Sequence, residues 1–267
     1  MQDYKHLLPP ILYDFLRQSP LNRYGWFGDY KNWEEAETHS TGYDADLIVE
    51  RVFQATLKVK NGEYPYERDS VLFESIQYDW PLLAGLMWVA ARNGGTLNVI
   101  DYGGSLGSSY WQNRKFLDTL PNLKWNIIEQ PKYVERGKKY LENGKLRFYN
   151  DLPSCLQENK PNLILLSSVV NYIKDPFQLL NTLSALSVAH MIIERIPFIE
   201  GEADRLTVQR VSPKIYDATY PCWFFGKRKF MEFIQKQFNI QEEYDCGIKL
   251  NIRSEVKGLI LTPKNRQ

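Results

Sequence analysis

Five residues within one short stretch have the types and the spacing to bind a nucleotide-like ligand. Asp101 ends an apolar run, and Gly103, Gly104, Ser105 and Gly107 follow it closely. Glycine allows positive φ angles and lets a ligand approach the backbone. A buried strand, a glycine-rich turn and a helix in this order typically cradle a nucleotide-type ligand at the carboxyl end of a parallel sheet. The alternative is an incidental glycine-rich loop.

The spacing of the glycines separates two ligand classes. The dinucleotide fingerprint G-x-G-x-x-G fails, because Tyr102 stands two positions before Gly104. When the fingerprint starts at Gly103, Ser105 and Ser108 occupy its second and third glycine positions. The stretch instead resembles motif I of class I S-adenosyl-L-methionine (SAM) methyltransferases, acidic-x-G-x-G-x-G, with a serine in place of the middle glycine.

Further candidate cofactor contacts follow the next two strands of the predicted sheet. The run 124–129 predicts a second strand that ends in Glu129. In nucleotide-binding folds an acidic residue at this place accepts hydrogen bonds from the ribose hydroxyls, and the alternative is a salt-bridged surface residue. Gln130 turns the chain. From chain order alone, Asp151 could accept a hydrogen bond from the adenine amine and Leu152 could cover the ring.

Two more candidates lie elsewhere in the chain. Ser167 ends the almost wholly apolar fourth strand, at the edge of the expected cleft. Arg68 lies in the charged segment 64–70. Its guanidinium can pair with a carboxylate such as that of a methionine moiety, and the alternative is a solvated turn.

Three residues are candidate bases for methyl transfer. SAM-dependent transfer is an in-line displacement in which the enzyme aligns the acceptor and excludes water, and an alcohol acceptor usually needs a base as well. The candidates are His39, Glu194 and Asp44. His39 could instead be a structural hydrogen-bonding residue, and Glu194 could pair with Arg195. No metal-ligand spacing occurs, so we expect metal-independent chemistry.

Helices and strands alternate along the chain, which predicts an α/β fold. We expect a Rossmann-like class I methyltransferase fold: a mostly parallel seven-stranded sheet with an antiparallel last strand. Residues 1–78 should form a helical and aromatic N-terminal extension that caps the cleft, and residues 79–267 the SAM-binding domain.

Some local features accompany this fold prediction. Residues 1–20 predict a short amphipathic helix. The aromatic segment 24–33 is predicted as loop, and Ser108 or Ser109 as the cap of the helix after the glycine-rich turn. Residues 198–221 lack clear periodicity, which predicts an irregular insert such as a lid or substrate loop.

Composition excludes several classes of partner and location. The chain has 267 residues and a formal net charge of +1, which does not favour nucleic acid or an acidic membrane surface. The apolar runs are far shorter than the roughly 20 residues of a membrane span. Three dispersed cysteines predict reduced thiols. We therefore expect a cytoplasmic protein whose partner is a small molecule; the sequence does not indicate an oligomeric state.

Several motifs together resemble one family. They are Tyr24-Gly-Trp, Ser40-Thr-Gly-Tyr, Tyr66-Glu-Arg-Asp-Ser-Val, Ile100-Asp-Tyr-Gly-Gly-Ser-Leu-Gly and Ile128-Glu-Gln-Pro. They resemble SAM-dependent methyltransferases associated with bacterial surface-polysaccharide gene clusters, from about Tyr24 to Pro263. The resemblance implies a class I fold and SAM as cofactor, and leaves the acceptor open. We expect O-methylation of a sugar or other small molecule, with N-methylation next. The alternatives are an NAD-dependent sugar oxidoreductase and a non-catalytic protein that kept the fold.

Overall fold

The computed structural model describes residues 23–42 and 45–264. The helix predicted within residues 1–20 and the candidate base Asp44 lie outside the described residues. The strands, numbered along the described chain, are β1 (Gly25–Tyr30), β2 (Tyr66–Arg68), β3 (Val71–Phe73), β4 (Thr96–Tyr102), β5 (Asn122–Ile128), β6 (Leu146–Tyr149), β7 (Leu163–Ser167), β8 (His190–Ile199), β9 (Arg205–Arg210), β10 (Thr219–Gly226), β11 (Phe238–Asp245) and β12 (Glu255–Pro263). The α-helices are α1 (Trp33–Thr38), α2 (Ala45–Lys60), α3 (Trp80–Arg92), α4 (Ser108–Leu117), α5 (Pro131–Tyr140), α6 (Leu152–Glu158), α7 (Pro176–Ser184) and α8 (Lys227–Gln237).

The central part of the sheet has the strand order β6-β5-β4-β7-β8-β12-β11, and β10, β9 and β1 extend the sheet from the end of β8. Strands β4 to β8 pair in parallel, and β12 runs antiparallel to both β8 and β11. In chain order, β4 is the first strand of this central part and lies in its middle, and β12 is the last and runs antiparallel to its neighbours. This arrangement confirms the predicted Rossmann-like class I methyltransferase fold. Val99 and Ile100 of β4 point to opposite faces and are both fully buried, as expected for a central parallel strand.

Helices cover both faces of the sheet. Buried residues of α2 to α5, among them Val52 and Leu86, pack on one face together with Val99. Residues of α6, α7 and α8 pack on the other face around Ile100. Residues from α2 thus share a hydrophobic core with the sheet, and a boundary at residue 78 stays a prediction. Among the described helices, none is long and apolar enough to cross a membrane.

Two helix starts near the cleft differ in how they are capped. The Asp79 carboxylate accepts a hydrogen bond from the Leu82 backbone N–H at 3.3 Å and caps α3, as its position before an apolar helix indicates. The predicted serine cap of α4 is wrong. Gly107, with φ of 93°, occupies the N-cap position without a side-chain cap. The Ser108 hydroxyl bonds the Glu67 carboxylate instead.

The prediction of an irregular insert at 198–221 is wrong over much of its length. Strand β8 continues to Ile199, and β9 and β10 form an antiparallel pair. The last two residues of β10 pair in parallel with the last two residues of β8. Thr207 is fully buried between its apolar neighbours, and its hydroxyl donates to the Cys222 carbonyl at 2.8 Å. A polar residue at a buried position hides the periodicity that identifies a strand.

The aromatic segment 24–33 was predicted as loop, and this is also wrong for most of it. Strand β1 pairs antiparallel with β9, with an irregular register between Phe27 and Tyr30. Gly25 and Gly28 both have positive φ angles. The glycines lower the strand propensity of the segment, and its pairing partner lies far away in the chain.

Candidate functional site

A cavity of about 600 Å³ is lined by residues at the carboxyl ends of β4, β5 and β7. Ligands bind at this edge of open parallel sheets. Eight of the sequence-predicted cofactor contacts line this cavity: Arg68, Asp101, Gly103, Gly104, Ser105, Glu129, Gln130 and Ser167. The fold thus brings them to one place.

The glycine-rich turn leaves no room for side chains at two positions. A Cβ atom on Gly104 would lie 2.4 Å from Cγ of Asp101, and one on Gly103 would lie 2.7 Å from Val169. Gly103 also has a φ of 69°. The backbone of this turn therefore forms part of the cavity wall directly.

Backbone strain is concentrated around the cavity. Among the described residues, those other than glycine with positive φ are Asp69, Ser70, Ser105, Ser168 and Arg195, and all of them except Ser70 line the cavity. Each such residue costs on the order of 1–3 kcal/mol and persists where the surroundings over-determine it. Ser105, with φ of 53°, stands at the position where motif I has glycine. The turn therefore keeps the backbone conformation of a glycine, and the serine adds this conformational energy.

Asp101 is a buried carboxyl directly beneath the turn. It is 1% exposed, and Trp125 donates its indole N–H to Oδ2 at 2.9 Å. Burial raises its pKa to about 7, and the bond from Trp125 opposes the shift. Near neutral pH this carboxyl is therefore ready to ionise when a cationic group approaches.

Glu129 lies one strand over, directly after β5, and lines the same cavity. Burial raises its pKa to about 7, and the nearby Asp101 carboxyl adds to the shift. A backbone hydrogen bond involving Gln130 opposes it. A desolvated carboxyl in a cavity wall is suited to accept hydrogen bonds from hydroxyl groups of a ligand.

The β2–β3 hairpin supplies one cation of the cavity wall. Arg68 lies with its guanidinium carbon 5.6 Å from the centre of the Tyr66 ring. Burial raises the pKa of Tyr66 to about 12, so its hydroxyl stays neutral at physiological pH.

Three predicted cofactor residues are not in the cavity wall. The Asp151 side chain is exposed and caps α6 by accepting from the Ser154 backbone N–H at 2.8 Å. Leu152 packs against the core below the sheet, and Gly107 forms the N-cap of α4. Asn150, one residue before Asp151, lines the cavity. The order of elements along the chain cannot tell which of two adjacent residues after a strand points into the cavity.

The two described candidate bases lie apart from each other. His39 ends α1, is exposed and packs on Tyr30 with ring centres 5.1 Å apart; it does not line the cavity. Glu194 is 1% exposed behind the cavity wall. Its Oε2 accepts a hydrogen bond from the Ser167 hydroxyl at 2.6 Å.

Several functional candidates were missed by sequence reasoning. Tyr172, Gln209 and Tyr220 also line the cavity, and the Tyr172 hydroxyl donates to Gln209 Oε1 at 2.7 Å. Gln209 and Tyr220 belong to β9 and β10. Both residues could have been assigned to the cavity only if these two strands had been predicted from the sequence.

The described part of the chain was also searched for side chains that could bind a metal ion. No group of three or more His, Cys, Asp or Glu side chains there could hold a metal ion. Metal-independent transfer stays a prediction.

No protein-family model matches the chain, and no curated protein matches it. Solved structures are similar to it in fold. The N-terminal domain of EvdMO1, solved with SAH and D-fucose, has 10% identity and a TM-score of 0.48, over 84% of this chain and 99% of that chain. The Burkholderia thailandensis 1,6-didemethyltoxoflavin-N1-methyltransferase has 12% identity and a TM-score of 0.43, over 90% and 92%. NodS of Bradyrhizobium japonicum WM9, an N-methyltransferase, has 11% identity and a TM-score of 0.42, over 70% and 88%. At this level of similarity, neither activity nor substrate passes from one protein to another.

Proposed function

We propose that this protein is a SAM-dependent methyltransferase. One observation carries the proposal: a glycine turn without room for side chains and two desolvated carboxyls, Asp101 and Glu129, face one cavity at the carboxyl edge of a parallel sheet. The volume of about 600 Å³ lies within the usual range for sites that bind small molecules, roughly 300–1,000 Å³.

The residues present fit the chemical groups of SAM. We assign Glu129 to the ribose hydroxyls, the Gly103–Ser105 backbone to the amino-acid end and Arg68 to its carboxylate. Asn150 takes the place beside the adenine amine that the sequence assigned to Asp151. When bound, SAM supplies a methyl group activated on a sulfonium sulfur. The protein's own part is to orient the acceptor and to exclude water.

The acceptor completes the proposal. The half of the cavity lined by Tyr172, Tyr220 and Gln209 offers aromatic faces and polar edges, which suit a sugar or another small hydroxylated ring. We propose metal-independent O-methylation of such an acceptor, with a cytoplasmic role in surface-polysaccharide biosynthesis.

Isothermal titration calorimetry against SAM, S-adenosylhomocysteine and NAD tests the cofactor. We expect heat of binding with the first two and none with NAD. Glu129→Gln should weaken SAM binding, whereas Asp151→Asn, a matched exposed carboxylate outside the cavity wall, should not. Heat with NAD alone would favour the oxidoreductase. No heat with any of the three would favour a non-catalytic protein.

Mass spectrometry of reaction products tests the acceptor. The protein is incubated with SAM and a panel of sugars and sugar nucleotides. We expect one class of acceptor to gain the mass of a methyl group. A methyl group located by fragmentation on a nitrogen rather than an oxygen of the product would contradict O-methylation while leaving the cofactor assignment intact.

A further inference from the structure

Two buried glutamates are each hydrogen-bonded by a serine of the cavity wall. The Ser167 hydroxyl donates to Glu194 Oε2 at 2.6 Å, and the Ser108 hydroxyl donates to Glu67 Oε1. Both glutamates are 1% exposed. Glu67 Oε2 is buried, and Glu194 Oε1, also buried, lies 3.6 Å from Nη2 of Arg195. Two carboxyls thus lie one hydroxyl away from the cavity.

Their positions along the sheet distinguish the two pairs. Ser167 ends β7, which lies between β4 and β8 in the sheet. The glycine turn and Glu129 follow β4 and β5 on one side of it. Beyond its pairing with β7, strand β8 pairs with the end of β10, and β10 pairs with β9; these two strands carry Tyr220 and Gln209. Ser167 therefore stands where the proposed cofactor half of the cavity meets the half left for the acceptor. Ser108 begins α4, directly after the glycine turn.

From this position we propose that Ser167 and Glu194 form a proton relay for the methyl acceptor, which rests on the proposed function. The acceptor oxygen forms a bond to the methyl carbon as the bond between that carbon and sulfur breaks. The acceptor hydroxyl gives its proton to Ser167 Oγ, and Ser167 gives its own proton to Glu194 Oε2. Ser167 is neutral before and after the step, the proton resides on Glu194, and S-adenosylhomocysteine leaves. Ser167 is the catalytic residue that touches the acceptor, and Glu194 acts through it.

The charged groups around Glu194 come from two places in the fold, β8 and the start of α3. Arg195 places Nη2 3.6 Å from Glu194 Oε1 and 3.5 Å from Oδ2 of Asp79 at the start of α3. One guanidinium thus faces two carboxyls. Burial opposes ionisation of Asp79, but hydrogen bonds with Glu194 and Leu82 and the charge of Arg195 hold its pKa below the usual value. Burial raises the pKa of Glu194 to about 7, which Arg195 only partly opposes.

The remaining titratable neighbours stay neutral near pH 7. Burial raises the pKa of Tyr66 and of Cys246 to about 12, and it also raises the pKa of Tyr244. Of the groups named here, Glu194 is therefore the one whose pKa lies near neutral pH; Asp69, a buried carboxyl whose pKa is also raised, faces Arg195 from the β2–β3 turn. A base is most effective when its pKa lies close to the working pH.

Single-turnover methyl transfer as a function of pH tests the relay. Methyl-labelled SAM is bound at saturation first, so that the pH dependence of cofactor binding does not contribute. The probe acceptor is the best one from the sugar and sugar-nucleotide panel. The wild-type rate should rise with pH and level off above about 7. Glu194→Gln should be slower by about 10²–10⁴-fold and should lack the rising limb.

Three further variants separate a relay from a structural role. Ser167→Ala should lose the limb as Glu194→Gln does, and Ser167→Thr, which keeps a hydroxyl, should restore it. Glu67→Gln is the matched control: it alters the other glutamate–serine pair and should keep the rising limb. A rising limb that persists in Glu194→Gln or in Ser167→Ala would overturn the relay. If SAM binds but no panel member is methylated, the relay falls and the cofactor assignment stands; if SAM does not bind, both fall.

Discussion

Replacing Asp101 by asparagine should stabilise the protein, and the gain should depend on pH. Asparagine has the same shape, so it fits beneath Gly104, and its amide oxygen can still accept the hydrogen bond from Trp125. The substitution removes only the ability to ionise. In the folded protein, burial raises the pKa of Asp101 from 3.8 to about 7.

The sign follows from proton linkage. Because the folded state holds the proton more tightly than the unfolded state, the stability contributed by neutral Asp101 is fully present below about pH 4 and is lost as pH rises through about 7. Between about pH 5 and pH 8 the unfolded carboxyl stays ionised while the folded one loses its proton. Two pH units at 1.36 kcal/mol each give about 2 to 3 kcal/mol. The variant should gain that much more stability over wild type near pH 8 than near pH 5.

Urea denaturation at the two pH values measures this difference. Glu67 and Glu194 titrate in the same range in both proteins, so their contributions cancel in the comparison. The substitution also removes the rise that the Asp101 charge adds to the pKa of Glu129, which stabilises the variant at the higher pH and acts in the same direction. Asp217→Asn, at an exposed aspartate, is the control and should show the same small effect at both pH values. If the free energy of unfolding of Asp101→Asn differs from wild type equally at both, Asp101 does not titrate between them and the burial argument is refuted.

Further predictions concern the glycine turn and the cofactor. Gly104→Ala should cost about 1–3 kcal/mol in thermal unfolding because its Cβ would meet Asp101, whereas Gly144→Ala, with open space around it, should be near neutral; equal costs would contradict the close packing of the turn. Ser105→Val should be less stable than Ser105→Gly by about 1–2 kcal/mol, since φ is positive there, and equal stabilities would show that the turn is relaxed. Glu129→Ala or Asp101→Ala should weaken SAM binding by about 1–3 kcal/mol, measured by calorimetry; unchanged affinity in both variants would count against the cofactor site.

The side of the cavity that we propose for the cofactor was accessible from local sequence. The apolar run of β4, the glycines after Asp101 and the acidic residue after β5 are each features of a few adjacent residues. A parallel sheet must place the ends of β4 and β5 at one edge, so Asp101 and Glu129 could be assigned to one cleft without a structure.

The side of the cavity that we propose for the acceptor was decided by tertiary structure. Strand β1 pairs with β9, which lies far from it in the sequence, and the end of β10 pairs with the end of β8. Such pairing leaves no local pattern, least of all where Thr207 is buried among apolar residues. The positions of Tyr220 and Gln209 in the cavity wall depend on it.

The sequence by itself determined which residues have the type and order to contact a cofactor. Only the folded structure decided which polar side chains hydrogen-bond to each other. Asp151 had the type and order of an adenine contact, yet its carboxylate is used to cap α6. Ser167 and Glu194 lie 27 residues apart and meet because β7 and β8 pair in register. The raised pKa of Glu194 is likewise absent from the sequence, because the loss of solvent that causes it exists only once distant segments have packed together.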